Sequence, residues 1–278
     1  DDYSASRIPR AGAPESRGWP ALRGAVQDVA LVRELLIARY SFAEDDIVTL
    51  TDQEATREAI LEAIETHLVR PSRRGDLVFY YFAGHGSQVL NSRSDEPDRL
   101  DETIVPADSR AGAPDIRDKE LRPLFNRILD RGARLTLLLD HCHGASGHRG
   151  APGARGIPPS FRDAADATDY GPRPEERGAL VMAATQENDE AWEIRDASGA
   201  FHGAFTWAWL RAMREALPDD SGDDVFARAR MHLRRERPFQ RPVLAGTVDA
   251  RMRPPLGAPV GFLRAGPHLF GGIVSSGS

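Results

Sequence analysis

Apolar positions along the chain alternate between two periods. From Leu22 to Tyr40 they recur at helical spacing (Val26, Val29, Val32, Leu35, Leu36), which predicts an amphipathic helix. Ile47 to Leu50 reads as a short strand. Thr56 is a plausible N-cap for a second helix, with Ile60, Leu61, Ile64 and Leu68 on its buried face, and Pro71 and Gly75 end it. The unbroken apolar run Leu77 to Phe82 then reads as a strand covered on both faces. A helix around Lys119 to Leu129 leads into a similar run, Leu135 to Leu139. Further on, the pattern predicts a strand at Ala179 to Ala184, helices around Ala204 to Ala216 and Val225 to Arg235, and a short strand near Pro242 to Ala245. Strands alternating with helices argue for a largely parallel sheet with helices on both faces.

Three stretches fall outside this pattern. Residues 4–20 are rich in Pro, Gly, Ser and Arg and read as loop. Residues 91–118 form an acidic connection, most simply a solvated loop. Residues 144–178 are long, Gly/Pro/Arg-rich and aperiodic, which inside a compact domain marks a functional or disordered segment. From Arg251 onward a Pro/Gly-rich tail shows little sign of a packed element, and no internal repeat is found.

Composition narrows the function classes. The chain has 278 residues, a formal net charge of -6 and a single cysteine, Cys142. No basic stripe suggests nucleic acid, and no apolar run reaches a membrane span. One cysteine excludes an intramolecular disulfide and fits a reducing compartment such as the cytoplasm.

Both long strands end in a sharp change of chemistry. Tyr81-Phe82-Ala83 runs into Gly84-His85-Gly86-Ser87, and Leu139 runs into Asp140-His141-Cys142-His143-Gly144. Open α/β sheets build their sites at the carboxyl edge of their strands. If the two strands are neighbours, His85 and Cys142 emerge together there. Free cysteine is mostly protonated at neutral pH, so a nucleophilic thiol needs a base or a cation beside it. Gly84 and Gly86 let the backbone approach a substrate closely, and backbone N–H groups there and at Cys142 could stabilise an oxyanion. A spacing of about 50 residues from histidine to cysteine is also that of caspases. Taken singly, Cys142 could be a small core residue and His85 a satisfied structural one. A zinc site from His141, Cys142, His143 and His148 is disfavoured, because neighbours on an extended chain point in opposite directions.

Four pieces of sequence carry a family resemblance. They are Leu22-Arg23-Gly24-Ala25-Val26-Gln27-Asp28, Tyr81-Phe82-Ala83-Gly84-His85-Gly86, Asp101-Glu102-Thr103-Ile104-Val105-Pro106-Ala107-Asp108, and Asp140-His141-Cys142-His143. In order and spacing the chain resembles a prokaryotic metacaspase-like cysteine peptidase, from residue 1 to about 247. The resemblance implies an α/β three-layer caspase-like fold with a mostly parallel central sheet flanked by helices. It implies a peptidase domain over 1–250: a large-subunit-like half at 1–143, a linker loop at 144–178 and a small-subunit-like half at 179–250. The tail at 251–278 follows. Cys142 takes the nucleophile's place, His85 the base's, and the N–H groups of Gly86 and Cys142 the oxyanion hole. Asp28 and Asp140 fall on an acidic pocket for arginine or lysine, a role that suits bidentate hydrogen bonding to a guanidinium. Asp28 could instead cap the helix near Val29, and Asp140 could be a turn residue. The partners implied are protein or peptide substrates with Arg or Lys before the scissile bond, with neither nucleic acid nor membrane.

The chain departs from the family at three places. The apolar interior strand that normally comes first is missing, so the sheet is expected to lack it unless another segment fills the gap. An acidic pair used for calcium elsewhere reads Asp118-Lys119 here, and Arg149 stands at a later acidic position. No cofactor is therefore expected, and calcium dependence is disfavoured. His141 replaces a small residue and is expected to crowd the pocket or perturb the thiol. Linker arginines Arg149, Arg155, Arg162 and Arg173, with Arg177 at the end, make self-cleavage an expectation. The rival reading is a caspase-fold scaffold without activity.

Overall fold

A computed structural model describes residues 20–94, 97–142, 152–165, 170–186, 189–259 and 269–276. In chain order the elements are α1 (Ala25–Tyr40), β1 (Ile47–Thr51), α2 (Arg57–Ala63, continued by a wider turn over Ile64–Val69), β2 (Leu77–Gly84), β3 (Gly86–Leu90), β4 (Leu100–Ile104) and β5 (Ile116–Arg117). There follow α3 (Asp118–Asp130), β6 (Arg134–Asp140), β7 (Leu180–Ala183), β8 (Glu193–Arg195), β9 (Phe201–Gly203), α4 (Ala204–Glu215), α5 (Gly222–Glu236), β10 (Val243–Ala245), α6 (Val248–Arg251) and β11 (Leu269–Ser276).

The central sheet has six strands in the order β1-β11-β2-β6-β7-β10. It is parallel except for β10, which runs antiparallel to β7. Strand β2 shows why both its faces are apolar. Leu77, Phe79, Tyr81 and Ala83 pack into a cluster with α1, α4 and α5. Val78, Tyr80 and Phe82 pack into a second cluster with α2 and α3. The two-residue period of the strand thus serves two helical layers at once. Within α1 the buried side is Ala25, Val29, Val32, Leu35 and Leu36, whereas Val26 is 40% exposed.

Two expectations need correction. The sheet does not lack the strand between β1 and β2. Residues 269–276, in the tail read as having little packed structure, supply it as β11. It runs parallel to both neighbours, with Gly271 opposite Ile47 and Leu269 opposite Leu77. Gly271-Gly272 in its middle weakens the strand pattern, yet two flanking strands offer a complete set of partners for its backbone. The acidic connection 91–118 is not simply solvated either. It holds β4 and β5, which extend β3 into a three-stranded antiparallel sheet, and Asp101 is fully buried there. The β8–β9 hairpin likewise has too short a pattern to be read from sequence. Among the described residues no helix is long and apolar enough to cross a membrane.

Candidate active site

β2 and β6 are parallel neighbours, with Ala83 opposite Asp140. His85 and Cys142 each lie two positions beyond that pair and leave the sheet at the same edge. The His85 ring has Nε2 2.9 Å from the carbonyl oxygen of Pro20. A carbonyl only accepts, so Nε2 carries a proton. Cys142 is buried, and its Sγ accepts the Ala191 N–H at 3.0 Å. Burial pushes the thiol up to about 12, so it is protonated at neutral pH in this arrangement. Gly86 has to be glycine, because a Cβ there would run into the Cys142 carbonyl.

Asp28 and Asp140 start far apart in sequence and meet around one cation. Asp28 sits inside the first turn of α1, where no cap is needed, and Asp140 ends β6; both are fully buried. Between them lies the guanidinium of Arg155, itself fully buried. Its Nη2 donates to Asp28 Oδ2 at 2.7 Å, and its Nη1 is 3.3 Å from Asp140 Oδ2. Each acid is held by other donors. Asp28 accepts from the Gly203 N–H at 2.7 Å and faces His202 Nδ1 at 3.0 Å. Asp140 accepts from both the N–H and the hydroxyl of Thr206, at 3.0 and 2.6 Å. Burial raises Asp28 above the usual carboxylate range, against the lowering effects of His202 and Arg155. His202 is shifted upward: burial opposes its charge, but hydrogen bonds to Asp28 and Asp196 outweigh that.

Sequence reasoning misses part of this cage. Glu193 reaches within 3.7 Å of Arg155 Nη2 and also accepts the N–H groups of Arg23 and Gly24 at the start of α1. A carboxylate at a helix N-terminus is a common pairing, but here the partner is about 170 residues away, so no local pattern announces it. Gly203 lines the cage so closely that a Cβ would strike Asp140 Oδ2 and the Arg155 guanidinium.

The backbone of Arg155 is held as firmly as its side chain. Its N–H donates to the Ala191 carbonyl at 2.8 Å, and the Glu193 N–H donates to the Gly153 carbonyl at 2.7 Å, so Gly153 to Arg155 pairs antiparallel with residues 191–193. The Arg155 carbonyl oxygen accepts two N–H groups, from Gly86 at 3.0 Å and from Cys142 at 2.9 Å. A peptide carbonyl between two fixed amides, with its arginine side chain in an acidic cage, is held and polarised at one point.

The expectation that His141 crowds the pocket is overturned. It follows Asp140 and faces the other side of the sheet, where its ring meets Phe82 edge-on at 5.5 Å and Nδ1 lies 2.9 Å from the Cys142 carbonyl. It therefore does not crowd the cage of Asp28 and Asp140. Lys119 is buried and its ammonium pairs with Asp101 and with Ser94 Oγ at 3.0 Å. The acidic connection thus packs its buried Asp101 against a cation on α3. His143, His148 and Arg149 lie outside the described residues.

Comparison with known proteins bears on the first half of the chain. Residues 14–148 match the family model described as metacaspase, peptidase C14 domain. That segment is thus similar to the metacaspase peptidase domain. Metacaspase-1 of Schizosaccharomyces pombe is 37% identical over 128 residues, which is 44% of this chain and 30% of that protein. Metacaspase-1 of Mycosarcoma maydis is 38% identical over 127 residues, 44% of this chain and 31% of that protein. The aligned part of the chain thus spans under a third of those relatives. A crystal structure of a Geobacter sulfurreducens protein superposes with a TM-score of 0.61 at 23% identity, covering 84% of this chain and 90% of that one. This likeness concerns the fold alone, and it extends well past the metacaspase-like segment.

Proposed function

We propose that the protein is a cysteine endopeptidase that cleaves after arginine through Cys142 and His85. One observation carries the reading: the Arg155 carbonyl accepts the N–H groups of Gly86 and Cys142 while its guanidinium lies between Asp28 and Asp140. In the proposed reaction His85 Nδ1 takes the thiol proton as Sγ attacks the carbonyl carbon. The two N–H groups hold the oxyanion, and the protonated His85 then gives its proton to the leaving amine. Water, activated by His85, hydrolyses the thioester and restores thiol and imidazole. A thiol raised to about 12 supplies no standing thiolate, so proton transfer accompanies attack.

Arginine is favoured over lysine, because separate guanidinium nitrogens in a fixed fork reach Asp28 and Asp140. The substrates are proteins or peptides that present arginine in an extended segment. No cofactor is required on this reading. Lys119 beside Asp101 supplies fixed positive charge in the acidic connection, which disfavours a calcium ion there. The rival reading, an inactive scaffold, is favoured only by the cleft being filled by the chain itself.

Hydrolysis of matched peptides ending in Arg, Lys or Asp, by wild type and by Cys142→Ala, tests the proposal. Arg should lead Lys, Asp should be refused, and Cys142→Ala should be inert. A preference for Asp would sink the acidic cage, and failure of an arginine-based electrophile to label Cys142 would favour the scaffold.

A further inference from the structure

Beyond Arg155 the chain continues along β3. The Ile157 N–H donates to the Gly86 carbonyl at 3.0 Å, the Ser160 N–H to Gln88 at 2.8 Å, and the Leu90 N–H to Ser160 at 2.9 Å. Gly156 and Ser160 bridge in parallel to Gly86 and Val89. β3 is the edge strand of its sheet, bonded to β4 on one side only. The residues between these donors are Pro158 and Pro159, which have no N–H to strand. Recognition here runs through main-chain groups, as when a peptide adds a strand to an open edge.

Gly156 is the tightest point of this path. A Cβ on it would stand 2.8 Å from the Cys142 Cβ and 3.1 Å from its Sγ. Cys142 cannot retreat, because its N–H is bonded to the Arg155 carbonyl and its Sγ to the Ala191 N–H. Any side chain immediately after the arginine would therefore push the scissile carbonyl off its two amides.

We infer that the site is specific for Arg–Gly bonds, with β3 as the strand that binds the residues after the cut. Of the chain's Arg–Gly bonds, Arg155–Gly156 is seated in this cleft, so the segment 153–160 is a tethered substrate. The inference rests on the peptidase reading. Sγ displaces the Gly156 nitrogen, which leaves as an amine with the proton from His85. Water then releases the Arg155 carboxylate and regenerates the Cys142 thiol. Until that cut, the segment excludes other substrates. Among the linker arginines within the described residues, geometry selects this one.

The test has three arms. Intact mass of the purified wild-type chain should show a break that leaves Gly156 as a new N-terminus. Gly156→Ala should slow that break by roughly tenfold or more, Gly156→Val should abolish it, and Cys142→Ala should remain whole. With the self-cut wild type, an Arg–Gly peptide should be cleaved at least about ten times faster than its Arg–Ala and Arg–Val counterparts. N-methylation of the second amide after the cut (the place of Ile157) should slow cleavage. The same change at the third (the place of Pro158) should not. Equal rates for Arg–Gly and Arg–Ala peptides would overturn the glycine requirement and leave the peptidase reading intact. Indifference to both N-methyl groups would overturn the role of β3. Cleavage of no arginine peptide at all would remove the peptidase reading and this inference with it.

Discussion

Two segments with weak sequence patterns, 269–276 and 153–160, both become strands on edges made by other parts of the chain. β11 is bonded on both sides, to β2 over its whole length and to β1 from Gly271 to Ser275. The 153–160 segment pairs with residues 191–193 up to Arg155 and with β3 beyond it, and one guanidinium anchors its centre. The first closes the core sheet. The second crosses a cleft at the sheet's edge, directly over the candidate nucleophile. Backbone hydrogen bonding is the same in both, so the difference lies in what departure would expose: the interior of the sheet in one case, a site in the other.

The contrast can be broken first at β11. Deleting residues 269–278 should abolish cooperative unfolding in a thermal or urea melt, because β1 and β2 would both lose a partner along their length. A chain that still melts sharply would show that β11 is as dispensable as a bound peptide.

Arg155→Ala should destabilise by about 3–5 kcal/mol in urea unfolding, since it leaves buried acids without their cation. Measured against the wild-type chain before its own cut, it should at the same time speed labelling of Cys142 by an arginine-based electrophile, because the cleft loses its anchored occupant. Adding Asp28→Asn should recover part of the stability while depressing cleavage after arginine. If Arg155→Ala neither destabilised nor opened the cleft, the segment would be held by its backbone alone, as β11 is.

A smaller effect is expected at Thr206, which donates twice to Asp140. Thr206→Val removes the hydroxyl and should cost about 1–3 kcal/mol, with a fall in kcat/KM confined to arginine substrates. An equal fall for every peptide would mean general disorder rather than a looser cage.

A further effect is expected in alkali. Cys142 is raised from 9.0 to about 12 in the folded protein. Below pH 9 the thiol is protonated in both states. From pH 9 toward 12 the unfolded chain releases its proton first, so stability should decline across that window. Tyr40, raised from 10.0 to about 12 by burial, acts in the same direction. Unfolding of Cys142→Ser should show a shallower alkaline decline than wild type.

Much of this was legible in the chain. The period of apolar residues gives α1, β2, α3, β6, α4 and α5, because each must bury a face of its own. The changes to Gly84-His85-Gly86 and Asp140-His141-Cys142 mark the strand ends, since an apolar strand has no other reason to finish in such groups. β8, β9 and β11 were not legible. They are short or glycine-broken, and partners already in place set their conformation. The contacts of Asp28 were equally hidden: a carboxylate in the first turn of a helix looks like a capping residue until Gly203, His202 and Arg155 are brought to it.

The sequence by itself determined the residue types at the sheet edge, a thiol, an imidazole and two carboxylates, and the strand ends that carry them. Only the tertiary structure decided which arginine lies between Asp28 and Asp140, which glycine lies against the thiol, and which segment completes the sheet. Local pattern records how a residue meets its near neighbours. These three matters depend on residues up to about 220 positions apart in sequence, brought together only when backbone groups left open by one part of the fold are satisfied by another.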